Sequence, residues 1–132
     1  MYVDSHCHLT FDGLHERIDD VREAMAAALV DRALVICTTL EEFARVHALA
    51  LRYPNFWASA GVHPDNEGVC EPSVDDLLQC AALPRVVAIG ECGLDFNRNY
   101  SPHPDQEKFF LAQLELAIEL QKPLFLHSRD AY

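Results

Sequence analysis

Short apolar runs alternate with amphipathic stretches along most of this chain, and the alternation predicts an order of elements. Five runs rich in β-branched and other apolar residues read as strands: Met1 to Asp4, Ala33 to Cys37, Phe56 to Ala60, Val86 to Gly90 and Leu124 to Leu126. Between the first two, Ile18, Val21, Met25, Ala28 and Leu29 recur at helical spacing. A second helix opens with Thr39-x-x-Glu42, a capping-box pattern, and runs to Tyr53 before Pro54 stops it. The third begins at Ser73, carries Val74, Leu77, Leu78 and Ala81 on one side, and ends before Pro84. The fourth starts near Pro104, sets Phe110, Leu114, Ala117 and Ile118 on one face, and ends before Pro123.

Strands that alternate with helices of this length form parallel βαβ units, and such folds collect their ligands at the carboxyl ends of the strands. The polar residues follow that rule. His6 and His8 come after the first strand, Thr38 and Thr39 after the second, Gly61-Val62-His63-Pro64 after the third, Glu91 after the fourth and His127 after the fifth. Structural accidents would scatter over both strand ends and the helix faces; these residues share one rim.

Composition narrows the class. Half of the 132 residues are hydrophobic, enough for one packed domain spanning 1–132. No apolar run approaches the roughly 20 residues of a membrane helix, and the chain enters its first strand without a basic segment, so we expect no membrane span, no signal peptide and a cytoplasmic location. The cysteines Cys7, Cys37, Cys70, Cys80 and Cys92 are odd in number, scattered and without a C-x-x-C pair, which fits reduced thiols. A formal charge of −11 argues against holding nucleic acid on a broad basic surface. It leaves room for a polyanionic substrate, because divalent ions in a site supply local positive charge.

The candidate chemistry starts at His6 and His8. In an extended backbone, alternate side chains point the same way, so both imidazoles face one side and Cys7 the other. Imidazole is a common metal ligand, though such a pair can also be ordinary strand residues. Glu91 lies between Gly90 and Gly93, where the backbone turns tightly and other groups can approach closely. A carboxylate there can ligate one metal or bridge two; its plainer reading is a solvated loop. His127 leaves the apolar Leu124-Phe125-Leu126 run at the same rim, a position also open to a satisfied rim histidine. Together the four form a His/His/Glu/His set without thiolates, suited to zinc, manganese or, with water filling the shell, magnesium. The reaction implied is hydrolysis, with water activated by metal and two ions about 4 Å apart stabilising a phosphoryl group. Arg98 and Arg129 are candidate phosphate contacts through their planar forks, with ordinary ion pairs as the alternative.

Four segments in this order carry a family resemblance: Val3-Asp4-Ser5-His6-Cys7-His8-Leu9, Gly61-Val62-His63-Pro64, Ile89-Gly90-Glu91-Cys92-Gly93-Leu94-Asp95-Phe96-Asn97-Arg98, and Pro123-Leu124-Phe125-Leu126-His127-Ser128-Arg129-Asp130-Ala131. The chain resembles the TatD family of metal-dependent hydrolases. The resemblance implies a TIM-type (β/α)8 barrel, two divalent ions (Mg, Mn or Zn) and a deoxyribonuclease or phosphodiesterase activity, expected to be 3'–5' exonucleolytic. It makes His6, His8, Glu91 and His127 metal ligands, with Glu91 bridging and catalytic, and sets His63 beside the metals near the substrate.

Two departures qualify this expectation. Thr10 stands where the family usually has an acidic or amide residue, and the family's later histidine and aspartate, after strands six and eight, have no counterpart here. A complete barrel of this type takes about 250 residues. The sequence therefore reads as the amino-terminal part of such a barrel, its first five strands and four helices, with a DNA or other phosphodiester substrate and no stable protein partner. Two alternatives remain open: a non-catalytic half-barrel that binds metal or serves assembly, and an amidohydrolase acting on amide or ester bonds. The latter often bridges its metals with a modified lysine, whereas Lys108 and Lys122 fall on a helix and before a strand.

Overall fold

A computed structural model describes residues 1–132. The strands are β1 (Tyr2–Cys7), β2 (Val30–Val35), β3 (Phe56–Ala60), β4 (Val86–Asp95) and β5 (Leu124–Arg129), and the α-helices are α1 (Ile18–Ala27), α2 (Leu40–Arg52), α3 (Val74–Ala81) and α4 (His103–Leu120). A short 3-10 turn, His15–Arg17, leads into α1. All strand pairs are parallel and the spatial order is the chain order, β1-β2-β3-β4-β5. This is the arrangement of a barrel wall, with β1 and β5 as its two open edges.

The helices cover one side of the sheet. Ala33 and Val35 of β2, Phe56, Ala58 and Ala60 of β3, and Val86 of β4 are buried there against Phe43, Val46 and Leu49 of α2, Leu77 of α3 and Phe109 and Leu116 of α4. The opposite, concave side carries Val3, Leu34, Trp57 and Val87, and of these Val3 and Val87 are 64% and 40% exposed. Trp57 is covered on that side by the Arg85 guanidinium, 4.3 Å from its ring centre. No helix is long and apolar enough to cross a membrane.

Local signals explain most boundaries. Thr39 caps α2 by accepting from the Glu42 N–H at 3.2 Å, while the Glu42 carboxylate reaches back to the Thr38 N–H at 2.6 Å, one residue earlier than the reciprocal bond of a simple capping box. Ser73 caps α3 through the Asp76 N–H at 3.0 Å. α4 stops at Gln121, which adopts the left-handed conformation at φ 55°.

Three expectations need correction. Strands β1, β4 and β5 run further than the apolar runs alone indicate, so His6, Glu91 and His127 lie within strands instead of after them. In β4 the reason is Gly90 and Gly93, both at φ 143°, where an added Cβ would run into the Phe125 and His127 backbone of β5. The glycines let the two strands stay paired from Cys92–Leu126 to Asp95–Arg129, whereas glycine in a run suggested its end. β2 starts and ends earlier than expected, at Val30–Val35, taking in the charged Asp31 and Arg32. Helix faces shift too: Leu29 has left α1 at φ 61° and is exposed, and α4 buries Gln106, Phe109, Gln113, Leu116 and Ala117 while Ile118 faces outward.

Candidate metal centre

The carboxyl ends of β1, β3, β4 and β5 bring four histidines around one carboxylate. Glu91 is buried, and its backbone N–H is tied to the Cys37 carbonyl at 2.8 Å, which fixes the part of β4 from which the side chain projects. Oε1 faces His6 Nε2 at 3.4 Å and His8 Nε2 at 3.7 Å. Oε2 faces His63 Nε2 at 3.5 Å and His127 Nδ1 at 3.3 Å. The side chains thus form two clusters, His6/His8/Glu91 and His63/Glu91/His127, that share Glu91.

Both histidines of the second cluster have a carboxylate on the far side of the ring. His63 Nδ1 lies 2.7 Å from Asp65 Oδ1, and His127 Nε2 lies 3.0 Å from Asp95 Oδ2. The His127 ring can donate its N–H to Asp95 and turn its other nitrogen toward Glu91, the arrangement by which carboxylates set the tautomer of metal-binding histidines, while His63 Nδ1 faces both the Asp65 carboxylate and the Asp65 N–H, 3.1 Å away. In the first cluster the His6 and His8 Nε2 atoms are 2.9 Å apart. The His8 ring is stacked on Phe11 at 4.5 Å, and the His6 ring meets the Phe125 edge at 4.7 Å.

The electrostatics follow from this packing. Burial pulls the His8 pKa down, helped by the neighbouring His6, and the Glu91 charge only partly opposes it. Burial also works against charge on His63, yet the bond to Glu91 and the Asp65 charge prevail and hold its pKa above the ordinary imidazole value. For Glu91 the desolvation cost is outweighed by His63, His6 and His127, so its carboxyl ionises below the usual range. Asp95 is lowered likewise, burial being overcome by His127 and by the Arg98 and Asn97 N–H groups.

A divalent ion fits this donor set. Ligand atoms about 2.1 Å from one ion at tetrahedral angles stand roughly 3.4 Å apart, and three of the four histidine–Glu91 separations lie between 3.3 and 3.5 Å. Ring lone pairs turned toward an ionised carboxylate repel unless a proton or a cation lies between them, which is the condition a metal satisfies.

Of the residues expected from the sequence, His6, His8, Glu91 and His127 meet at this point. His63, expected beside the metals, is as near to Glu91 as the others. Arg98 Nη1 lies 3.7 Å from Asp65 Oδ2, and Arg129 Nε 4.0 Å from Asp95 Oδ2, so both half-exposed guanidiniums sit behind the orienting aspartates and not against Glu91. Thr38 and Thr39 belong to the α2 cap and to the loop: the Thr38 carbonyl accepts from the His63 N–H at 2.9 Å. Thr10 is buried and donates its hydroxyl to Glu42 Oε2 at 3.2 Å, tying the β1–α1 loop to α2. Sequence reasoning missed Asp65, whose only signal is its place two residues after His63.

Parallel strands in chain order, helices on the outer side and ionisable groups gathered at the carboxyl rim define a TIM-type barrel, of which this chain forms five strands and four helices. Residues 3–132 match the family model described as TatD related DNase, and the chain belongs to that family. It is 45% identical over 115 residues to the 3'-5' ssDNA/RNA exonuclease TatD of Escherichia fergusonii, and 48% identical over 115 residues to its counterpart in Salmonella typhimurium. Each alignment covers 86% of this chain and 44% of the relative, so the chain spans less than half the length of these curated relatives. Among solved structures, a TatD homologue of Escherichia coli K12 superposes with a TM-score of 0.88 at 33% identity, covering 98% of this chain and 51% of that one. A TatD family hydrolase of Entamoeba histolytica gives 0.84 at 25% identity, covering 98% and 50%.

Proposed function

We propose that these residues form the amino-terminal part, 1–132, of a metal-dependent phosphodiesterase, an exonuclease that removes nucleotides from the 3' end of single-stranded DNA or RNA. The observation that carries the reading is Glu91, with one carboxylate oxygen toward each pair of histidines. His6 and His8 would hold one divalent ion with Oε1, and His63 and His127 a second with Oε2; magnesium, manganese and zinc all suit such nitrogen and oxygen ligands. Ions bound there supply positive charge for a phosphoryl group and an activated water. Asp65 and Asp95 keep the two ring nitrogens aimed at that charge. Arg98 and Arg129, both half exposed and paired with Asp65 and Asp95, would meet backbone phosphates of the substrate. The names of the relatives support the substrate class, and free thiols at all five cysteines suit a reducing compartment such as the cytoplasm.

The test uses the complete protein and single-stranded DNA labelled at either end, with each metal in turn. Stepwise release from the 3' end, abolished by EDTA and reduced about a thousandfold or more by Glu91→Gln, is the expected result. Undiminished cleavage by the Glu91→Gln protein would overturn the reading. An amidohydrolase bridged by a modified lysine finds no support here: Lys108 is exposed on α4, and Lys122 donates to the Ala81 carbonyl.

A further inference from the structure

Helix α4 buries two glutamines on one face, Gln106 and Gln113, each 1% exposed. A primary amide placed in a core needs partners for its donors and its oxygen, and an apolar residue of similar size would pack there with less desolvation. Both amides take their partners from the backbone that carries the second histidine cluster. Gln113 Oε1 accepts the Val62 N–H at 2.9 Å and Nε2 donates to the Val62 carbonyl at 3.2 Å, so the amide pairs with this residue as a neighbouring strand would. Gln106 repeats the motif on Asp95, accepting its N–H at 2.9 Å and donating to its carbonyl at 3.1 Å, with a further bond to the Ser101 carbonyl at 2.9 Å.

The two clamped residues are not arbitrary. Val62 directly precedes His63, and Asp95 bears the carboxylate that orients His127. His63 and His127 are the two imidazoles on the Oε2 side of Glu91. No hydrogen bond runs from α4 to β1 or to His8, the side that supplies the other cluster.

We propose that Gln106 and Gln113 are positioning residues for one of the two candidate ion sites. They set the affinity of the His63/Glu91/His127 cluster for a divalent cation and leave the His6/His8/Glu91 cluster unaffected. The inference rests on the metal-binding reading above.

Zinc titration of the complete protein against a competing chelator tests it in two backgrounds. His8→Ala isolates the Oε2 cluster, and His127→Ala isolates the Oε1 cluster. Adding Gln113→Met, which keeps volume and removes both bonds, should weaken zinc binding about tenfold or more in the first background and leave it unchanged in the second. The ring nitrogen signals of His63 should shift in the zinc-free Gln113→Met chain while those of His6 do not. Phe109→Leu, an apolar change on the same buried face, controls for loosening of the helix. Equal losses in both backgrounds, an equal loss from Phe109→Leu, or no loss would each overturn the proposal. Should Gln113→Met fail to fold, Gln113→Glu keeps an acceptor for Val62 N–H, lacks the donor, and is judged by the same criteria. If the unsubstituted complete protein takes up no zinc, the metal reading falls and this one with it; two bound ions with indifferent glutamine variants overturn only this one.

Discussion

At the scale of single residues, orientation matters as much as the identity of the liganding atoms. Asp95 is almost fully buried and holds His127 Nε2 at 3.0 Å, so the charge of this carboxylate fixes which ring nitrogen faces Glu91. Asp95→Asn removes that charge and should lower zinc affinity by about 10-fold to 100-fold with little change in secondary structure; chelator competition and circular dichroism together check both parts. The thiols offer a second expectation. Burial pushes the Cys37 pKa up to about 12, whereas Cys80 is partly exposed at the end of α3. Since the thiolate is the reactive form, alkylation of Cys80 in the native chain should quicken between pH 7 and 9 while Cys37 stays unlabelled until the chain is unfolded. Peptide mass spectrometry after timed alkylation measures both.

At the scale of elements, close approach of β4 and β5 depends on residues without side chains. A methyl group at Gly93 would collide with the His127 carbonyl, and φ 143° is strained for any other residue. Gly93→Ala should therefore destabilise the fold by roughly 2 kcal/mol or more, read by urea unfolding, and should disturb His127 directly. Thr39→Ala should cost about 1 kcal/mol through the lost α2 cap. Periodicity was sufficient to order five strands and four helices, because a half-buried strand and an amphipathic helix leave different spacings in the sequence. It failed where polar residues do interior work. The buried face of α4 runs through Gln106 and Gln113, so counting apolar residues alone turned the helix toward Phe110 and Ile118. Likewise the glycines around Glu91 suggest a tight turn in the sequence and end the strand at Gly90; only the neighbouring β5 backbone explains why β4 continues. The rim histidines and Glu91 were legible because a parallel fold sends them to one end. Asp95 acts on His127 across a chain separation that no local pattern encodes, and Asp65, two residues after His63, carries no periodic signal that sets it apart.

At the scale of the molecule, the sheet is open. β1 and β5 each have a single neighbour, and Val3, Val87 and Leu126 are exposed. The purified 132-residue chain should therefore self-associate and bind a hydrophobic dye at micromolar concentrations; sedimentation velocity across a concentration series measures this, and Leu126→Lys should reduce it. The same openness gives the shared carboxylate a mechanical meaning. His6 stands on one edge strand and His127 on the other, near opposite ends of the sequence, and Glu91 on the strand between reaches toward both. Ions held on its two oxygens would tie β1 to β5, closing a loop of the residues between them, as a disulfide of that span would. Chelation would then release that tie, with amide hydrogen exchange rising more in Tyr2–Cys7 and Leu124–Arg129 than in β3.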